Sequence, residues 1–177
     1  MRVFNGKYRA DTIRLKSWDY TSCGYYYITL CTLNHKCYFG SVNNSSVDLN
    51  RIGITADKFF QEIPAHIENT DIITHIVMPN HLHGIIFIKE ESKKSINEKC
   101  FQGLKSPEKG SLGSIISQYK AAVKRFAVKS NIEFAWQGGY HEHIIRNEES
   151  LRKICEYISL NPLKWETDEY NKNNICL

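Results

Sequence analysis

Two histidines separated by one residue, His81 and His83, open the apolar run H-L-H-G-I-I-F-I. Residues i and i+2 of a strand share a face, so the two imidazoles would stand side by side. Neutral imidazole nitrogens are ligands for divalent metals, and such a pair could hold one jointly. Two ligands are too few for a stable site, so a third must come from elsewhere in the chain. The segment E-E-S-L-R-K-I-C-E-Y-I-S-L-N, just before Pro162, offers a candidate. Wound as a helix at about 100° per residue, it gathers Leu151, Ile154, Cys155 and Ile158 on a buried face and sets Tyr157 and Asn161 together on one flank. An amide oxygen is a suitable hard ligand, and a phenol can act as a nucleophile. On residue types alone, the histidines also read as hydrogen-bonded strand residues. Tyr157 likewise reads as a boundary tyrosine, and Asn161 as a helix cap ahead of proline.

The elements that must position these groups are legible from periodicity. Tyr25 to Thr32 is rich in aromatic and β-branched residues and predicts a strand. A helix is expected over roughly Val47 to Gln61, with Ile52, Ala56, Phe59, Phe60 and Ile63 at helical spacing and Pro64 nearby as a stop. Strands follow at Ile72–Met78 and His81–Lys89, joined by a turn at M-P-N. A second helix over Ser114–Lys129 buries Ile115, Ile116, Tyr119, Ala122, Val123 and Phe126, and the strand Gly139–Arg146 comes next. Asn147 caps the third helix, which has two acids in its first turn. The order β-α-β-β-α-β-α predicts an α+β fold. It is a ferredoxin-like split β-α-β sandwich, an antiparallel sheet with helices packed on it, plus a C-terminal helix carrying Tyr157.

A chain of 177 residues suits one domain. Within it we expect a basic N-terminal arm over 1–23, a mobile polar loop over 90–110 and a C-terminal tail over 163–177. No apolar run approaches the roughly 20 residues needed to cross a bilayer, and the N-terminus lacks a hydrophobic signal core, so a cytoplasmic protein with no membrane partner is expected. The six cysteines form no C-x-x-C pair and read as reduced thiols rather than a zinc ribbon. The net charge of +4 is modest, but residues 99–129 alone carry seven Lys and Arg against Glu108, a local excess larger than that of the whole chain. Lys120, Lys124 and Arg125 lie off the buried stripe of the second helix and could track a phosphate backbone, with Arg14 and Lys16 of the arm as further contacts. Trp136 could stack on an unpaired base. His141 and His143 repeat the one-residue spacing; they read first as structural residues and second as phosphate contacts.

The combination resembles a known family. His81-Leu82-His83 within M-P-N-H-L-H is similar to the His-hydrophobic-His motif of HUH endonucleases, in a context found in single-tyrosine insertion-sequence transposases. W-Q-G-G-Y-H-E-H-I-I-R-N (136–147) and E-Y-I-S-L-N-P (156–162) resemble segments of REP-associated tyrosine transposases, and T-I-R-L-K-S-W-D-Y (12–20) is similar to related transposase-like proteins. The resemblance spans about Tyr8 to Trp165 with its motifs in order. It implies Tyr157 as nucleophile; His81, His83 and Asn161 as ligands of Mg²⁺ or Mn²⁺; and single-stranded DNA with a hairpin as partner. It also implies a 5′-phosphotyrosine intermediate without a nucleotide cofactor, and in some relatives a homodimer. Tyr119, the rival tyrosine, lies in a buried stripe and is expected to pack. Two alternatives share the motif: a host-adopted regulator that binds the hairpin without cleaving it, and another HUH nickase such as a replication initiator or relaxase.

Overall fold

The computed structural model describes residues 18–90 and 110–171, and the backbone alone of 2–4 and 7–9. Arg14, Lys16 and loop residues 91–109 lie outside the described residues. In chain order the elements are β1 (Arg2–Phe4), β2 (Lys7–Arg9), β3 (Gly24–Cys31), β4 (Gly40–Asn43), β5 (Ser46–Leu49), α1 (Arg51–Gln61), α2 (Ile63–His66), β6 (Thr70–Val77), β7 (His81–Ile88), α3 (Leu112–Lys129), β8 (His141–Ile145) and α4 (Glu148–Ser159). Four of the strands form one sheet in the order β6-β7-β3-β8, each neighbouring pair antiparallel. Because β7 is inserted between β3 and β6, the unit is a split β-α-β, as the element order predicts.

Strand alternation gives the sheet two different faces. Tyr26, Ile28 and Leu30 of β3 and Leu82, Ile86 and Ile88 of β7 are wholly buried on one of them. There they meet Ile52, Ala56 and Phe60 of α1 and Ile115, Tyr119 and Val123 of α3 in the main core. A side chain on Gly84 could not fit: its Cβ would stand 2.6 Å from a Phe60 ring carbon. On the opposite face, α4 seats Leu151, Ile154, Cys155 and Ile158 against Ile85 and Ile145. Asn147 caps that helix by accepting from the Ser150 amide at 2.8 Å.

Three local expectations need correction. Val47 to Leu49 belong not to α1 but to β5, which pairs with β4 around Asn44 and Ser45, both at positive φ. Such a mirror-image two-residue turn suits the twist of a hairpin. Asn50 then sets the helix boundary, its Oδ1 accepting from the amides of Ile52 and Gly53 at 3.1 Å each. Second, the segment read as a C-terminal tail is structured up to residue 171: Pro162–Thr167 is a 3-10 helix that buries Trp165 against Met78. Third, Cys23, Cys31 and Cys155 are free thiols, but Cys37 is disulfide-bonded.

Edge strand β6 is irregular. Its register on β7 shifts between Ile72 and Thr74, and Ile73 is left 41% exposed. Among the described residues no helix is long and apolar enough to cross a membrane.

Candidate functional site

His81 and His83 lie on the α4 side of the sheet, opposite Cys31 and Thr29 of β3. Both are buried, with ring centroids 4.5 Å apart. The M-P-N turn that precedes β7 is closed by a bond from the Met78 amide to the His81 carbonyl at 2.8 Å. This turn delivers Asn80 against the first histidine. The Asn80 amide nitrogen donates to the carbonyls of Tyr170 (2.7 Å) and His35 (3.1 Å), so its oxygen is turned to His81 Nδ1 at 2.8 Å. An acceptor there fixes the proton on Nδ1 and leaves a bare lone pair on Nε2. His81 Nε2 is indeed buried without a hydrogen-bond partner among the described residues.

The second imidazole is held in a similar way. His83 Nδ1 meets Thr29 Oγ1 at 2.9 Å and the Tyr27 hydroxyl at 2.8 Å. Thr29 also donates to that hydroxyl at 3.3 Å, which leaves its oxygen as acceptor for an Nδ1 proton. In this tautomer His83 Nε2 is bare as well, 3.4 Å from the Tyr157 hydroxyl. Burial holds both imidazoles neutral: it lowers the His83 pKa to about 3 and pushes His81 well below its ordinary value, with His83 adding to the latter effect.

α4 brings up the other half of the site. Tyr157 is 37% exposed, its ring 5.3 Å from that of His83 and 6.5 Å from that of Tyr27. Its phenol pKa is raised by burial and then by the negative charge of Asp168. Asn161, one turn on, is 1% exposed and continues the helical backbone at φ −58°, ψ −41° without capping anything. Neither its amide oxygen nor its amide nitrogen has a hydrogen-bond partner among the described residues. It is nonetheless close enough to His81, Tyr157 and Asp168 to bias the titration of all three.

The arrangement suits a cation held by mixed N/O donors. Bare Nε2 atoms and an unpartnered amide converge, and each Nδ1 is oriented from behind, as the outer partners of metal-bound histidines do. Among the described residues no group of three or more His, Cys, Asp or Glu could hold a metal, so an amide is the available third donor. Burying such polar atoms unpaired is costly in a folded chain, so His81 Nε2 and the Asn161 amide are available to a partner beyond the described side chains.

Several contributors were invisible in the sequence. Tyr27 and Thr29 come to His83 by strand register, across a separation of more than fifty residues. Tyr170 packs its ring 4.7 Å from that of His81 and 5.9 Å from that of His83, and the Asp168 carboxylate accepts from the Tyr170 amide at 2.7 Å. Burial raises the Tyr170 pKa to about 12. Only Asn80, adjacent to the histidine pair, carried a signal that could have been read.

The residues expected to touch DNA stand elsewhere. Lys120, Lys124 and Arg125 lie on α3, which packs on the other face of the sheet. The Lys120 ammonium donates to the carbonyls of Gln137 (2.7 Å) and Gly139 (2.9 Å), and that of Lys124 to the Phe134 carbonyl. Both thus tie down the loop that leads into β8, while Arg125 is exposed. Trp136 packs among Phe39, Phe134 and Tyr119 and donates its indole N–H to the Lys120 carbonyl. Tyr119 is buried and donates to the Ala56 carbonyl at 3.0 Å.

Comparison with known proteins adds two findings. No family model matches the chain. An uncharacterized protein of Haemophilus influenzae is 40% identical over 169 residues, which cover 93% of this chain and 94% of that one. Among solved structures, a REP-associated tyrosine transposase bound to a REP hairpin superposes with a TM-score of 0.58 at 19% identity, covering 86% of this chain and 74% of that one. The chain therefore belongs to one family with the Haemophilus influenzae protein, and its fold is that of the REP-associated tyrosine transposase.

Proposed function

We propose that this protein is a transposase-type nuclease that cleaves and rejoins single-stranded DNA beside a hairpin, using Tyr157 as nucleophile next to a Mg²⁺ or Mn²⁺ ion held by His81, His83 and Asn161. The observation that supports the reading is that an unpartnered buried imidazole nitrogen of His81 and an unpartnered buried amide of Asn161 stand beside His83, whose Nε2 meets the half-exposed Tyr157 phenol at 3.4 Å. The hairpin partner is suggested by the DNA bound to the structural neighbour.

In this mechanism the Tyr157 oxygen attacks the scissile phosphorus. A tyrosyl O–P bond forms and the bond to the 3′ oxygen breaks. The products are a 5′-phosphotyrosine and a 3′ hydroxyl, which takes up the proton the phenol gave away. Attack by a 3′ hydroxyl on the phosphotyrosine reverses these steps and returns the proton to Tyr157, so rejoining needs no nucleotide cofactor. Tyr27, Thr29 and Asn80 keep the imidazoles in the tautomer that faces the site. The bound ion would neutralise charge developing on the phosphate oxygens and ease ionisation of a phenol whose pKa the protein alone raises.

The test is a denaturing gel with labelled single-stranded hairpin DNA and Mn²⁺, wild type beside Tyr157→Phe. A covalent protein–DNA band is expected, absent in Tyr157→Phe and after chelation. Cleavage with no covalent band would mean that water attacks. Tight binding without cleavage would favour the adopted regulator. A band that survives in Tyr157→Phe and disappears in Tyr170→Phe would move the nucleophile to the other phenol beside the histidines.

A further inference from the structure

The second H-x-H pair lies on the same face as the first. In the register of β8 on β3, His141 stands opposite Thr29 and His143 opposite Tyr27, the two residues that hold His83. Across the sheet, His83, Thr29 and His141 thus form one row, with the outer members about 10 Å apart at the usual strand spacing. The fates of the two pairs are opposite: His141 and His143 are exposed, and neither engages in a hydrogen bond or ring contact among the described residues.

The strip is open because α4 lies to one side. That helix makes its main approaches to β6 and β7, and its Tyr157 ring lies 6.5 Å from that of Tyr27, whose cross-strand neighbour on β8 is His143. Among the described residues β8 is also an edge strand, and its outer backbone N–H groups have no strand to pair with. Just before it comes Gly138-Gly139. Gly139 needs to be glycine for its φ of +74°, but Gly138 has no such conformation and a Cβ there would meet nothing within 4 Å. A side chain is therefore missing where the fold does not demand it, as happens where a ligand runs close to backbone. The loop is held in place by the Lys120 ammonium, which donates to the carbonyls of Gln137 and Gly139.

The geometry points to the strip from Gly138 through His141 and His143 as a track for the sugar-phosphate backbone of the DNA strand flanking the bond that Tyr157 attacks. The imidazole N–H groups and the edge amides of β8 donate to its phosphate oxygens, and Gly138 lets the backbone pass. This rests on the single-stranded DNA reading above. It assigns the flank to β8 rather than to the cations of α3.

The test uses the full chain and single-stranded oligonucleotides that carry one hairpin and flanks of increasing length, with binding followed by fluorescence anisotropy and covalent adduct on gels. Wild-type affinity should rise with flank length. His141→Gln/His143→Gln should bind the longest strands about tenfold more weakly while binding the shortest equally, and should form adduct at the wild-type rate when DNA is saturating. Gly138→Ala, whose Cβ would meet nothing within 4 Å in the fold, should repeat the length-dependent loss. Equal affinity of wild type and double variant at every length overturns the track, and so does a loss of adduct rate at saturation. If adduct forms in the wild type while the variants bind alike, the track alone falls. If the length-dependent loss appears but no adduct ever forms, the cleavage reading alone falls. Failure of the wild type to bind any strand sinks both.

Discussion

The two faces of the central sheet are built from the same strands under different rules. On β3, Tyr26, Ile28 and Leu30 face α1 and α3, while Tyr27 and Thr29, between them in sequence, face α4. The first face is a close-packed apolar layer in which even a methyl at Gly84 would collide with Phe60. The second buries two histidines and an asparagine, with His81 Nε2 and both amide atoms of Asn161 unpaired among the described residues. The apolar face supplies stability, and the polar face gives some of it up in exchange for a preorganised set of lone pairs. Natural folds accept such local inconsistency chiefly where a site is made.

Mutations should separate the two faces. Phe60→Ala, on the apolar side, is expected to destabilise the fold by about 3–5 kcal/mol in urea titrations, with adduct formation per folded molecule unchanged. Loss of activity out of proportion to the folded fraction would mean that the faces are coupled. A smaller, graded effect should come from pH. Burial depresses both imidazoles of the site pair, so below the unfolded value of about 6.5 the unfolded chain takes up protons that the folded chain refuses. Stability should be level above that pH and fall as the pH drops toward about 3, by up to about 1.4 kcal/mol per unit for each imidazole. His83→Gln should flatten the profile, and an unchanged slope would place the proton uptake elsewhere. The smallest effect on stability is expected for Thr29→Val, about 1–2 kcal/mol, because the hydrogen bonds of Thr29 Oγ1 to His83 and to Tyr27 are lost with little change of shape. Its Mn²⁺ affinity should nonetheless fall some 10- to 100-fold by calorimetry, since His83 loses the acceptor that orients it.

Periodicity made the apolar face readable. The stripes of α1 and α3 and the alternation of β3 and β7 each predict their burial, and the element order then leaves one sheet topology. The hairpin β4–β5 escaped because strands of four residues alternate too briefly, and Leu49 falls in line with the helical spacing of Ile52 and Ala56. The site was half legible. Strand and helix periodicity set His81 beside His83 and Tyr157 beside Asn161, but only the family resemblance singled the four out as a candidate site. Tyr27 and Thr29 depend on strand register, and Tyr170 and Asp168 on the path of the chain after Pro162, neither of which local spacing encodes. The role of the α3 cations is not encoded in spacing, because a basic helix face looks the same whether it meets phosphate or, as Lys120 and Lys124 do here, reaches the carbonyls of a neighbouring loop.

The bulge in β6 has a consequence for how copies of this chain behave in a crowded cell. A regular, apolar edge strand is a template on which an identical strand from another molecule can grow, the first step toward fibrils. The slip between Ile72 and Thr74 breaks the ladder of outward amides, and Lys89 paired with Asp71 at 2.9 Å sets charge beside it. A sheet extended from β6 would have to straighten this kink and strip water from that pair. The β6 edge, which no described strand covers, thus resists self-templated aggregation by its own irregularity.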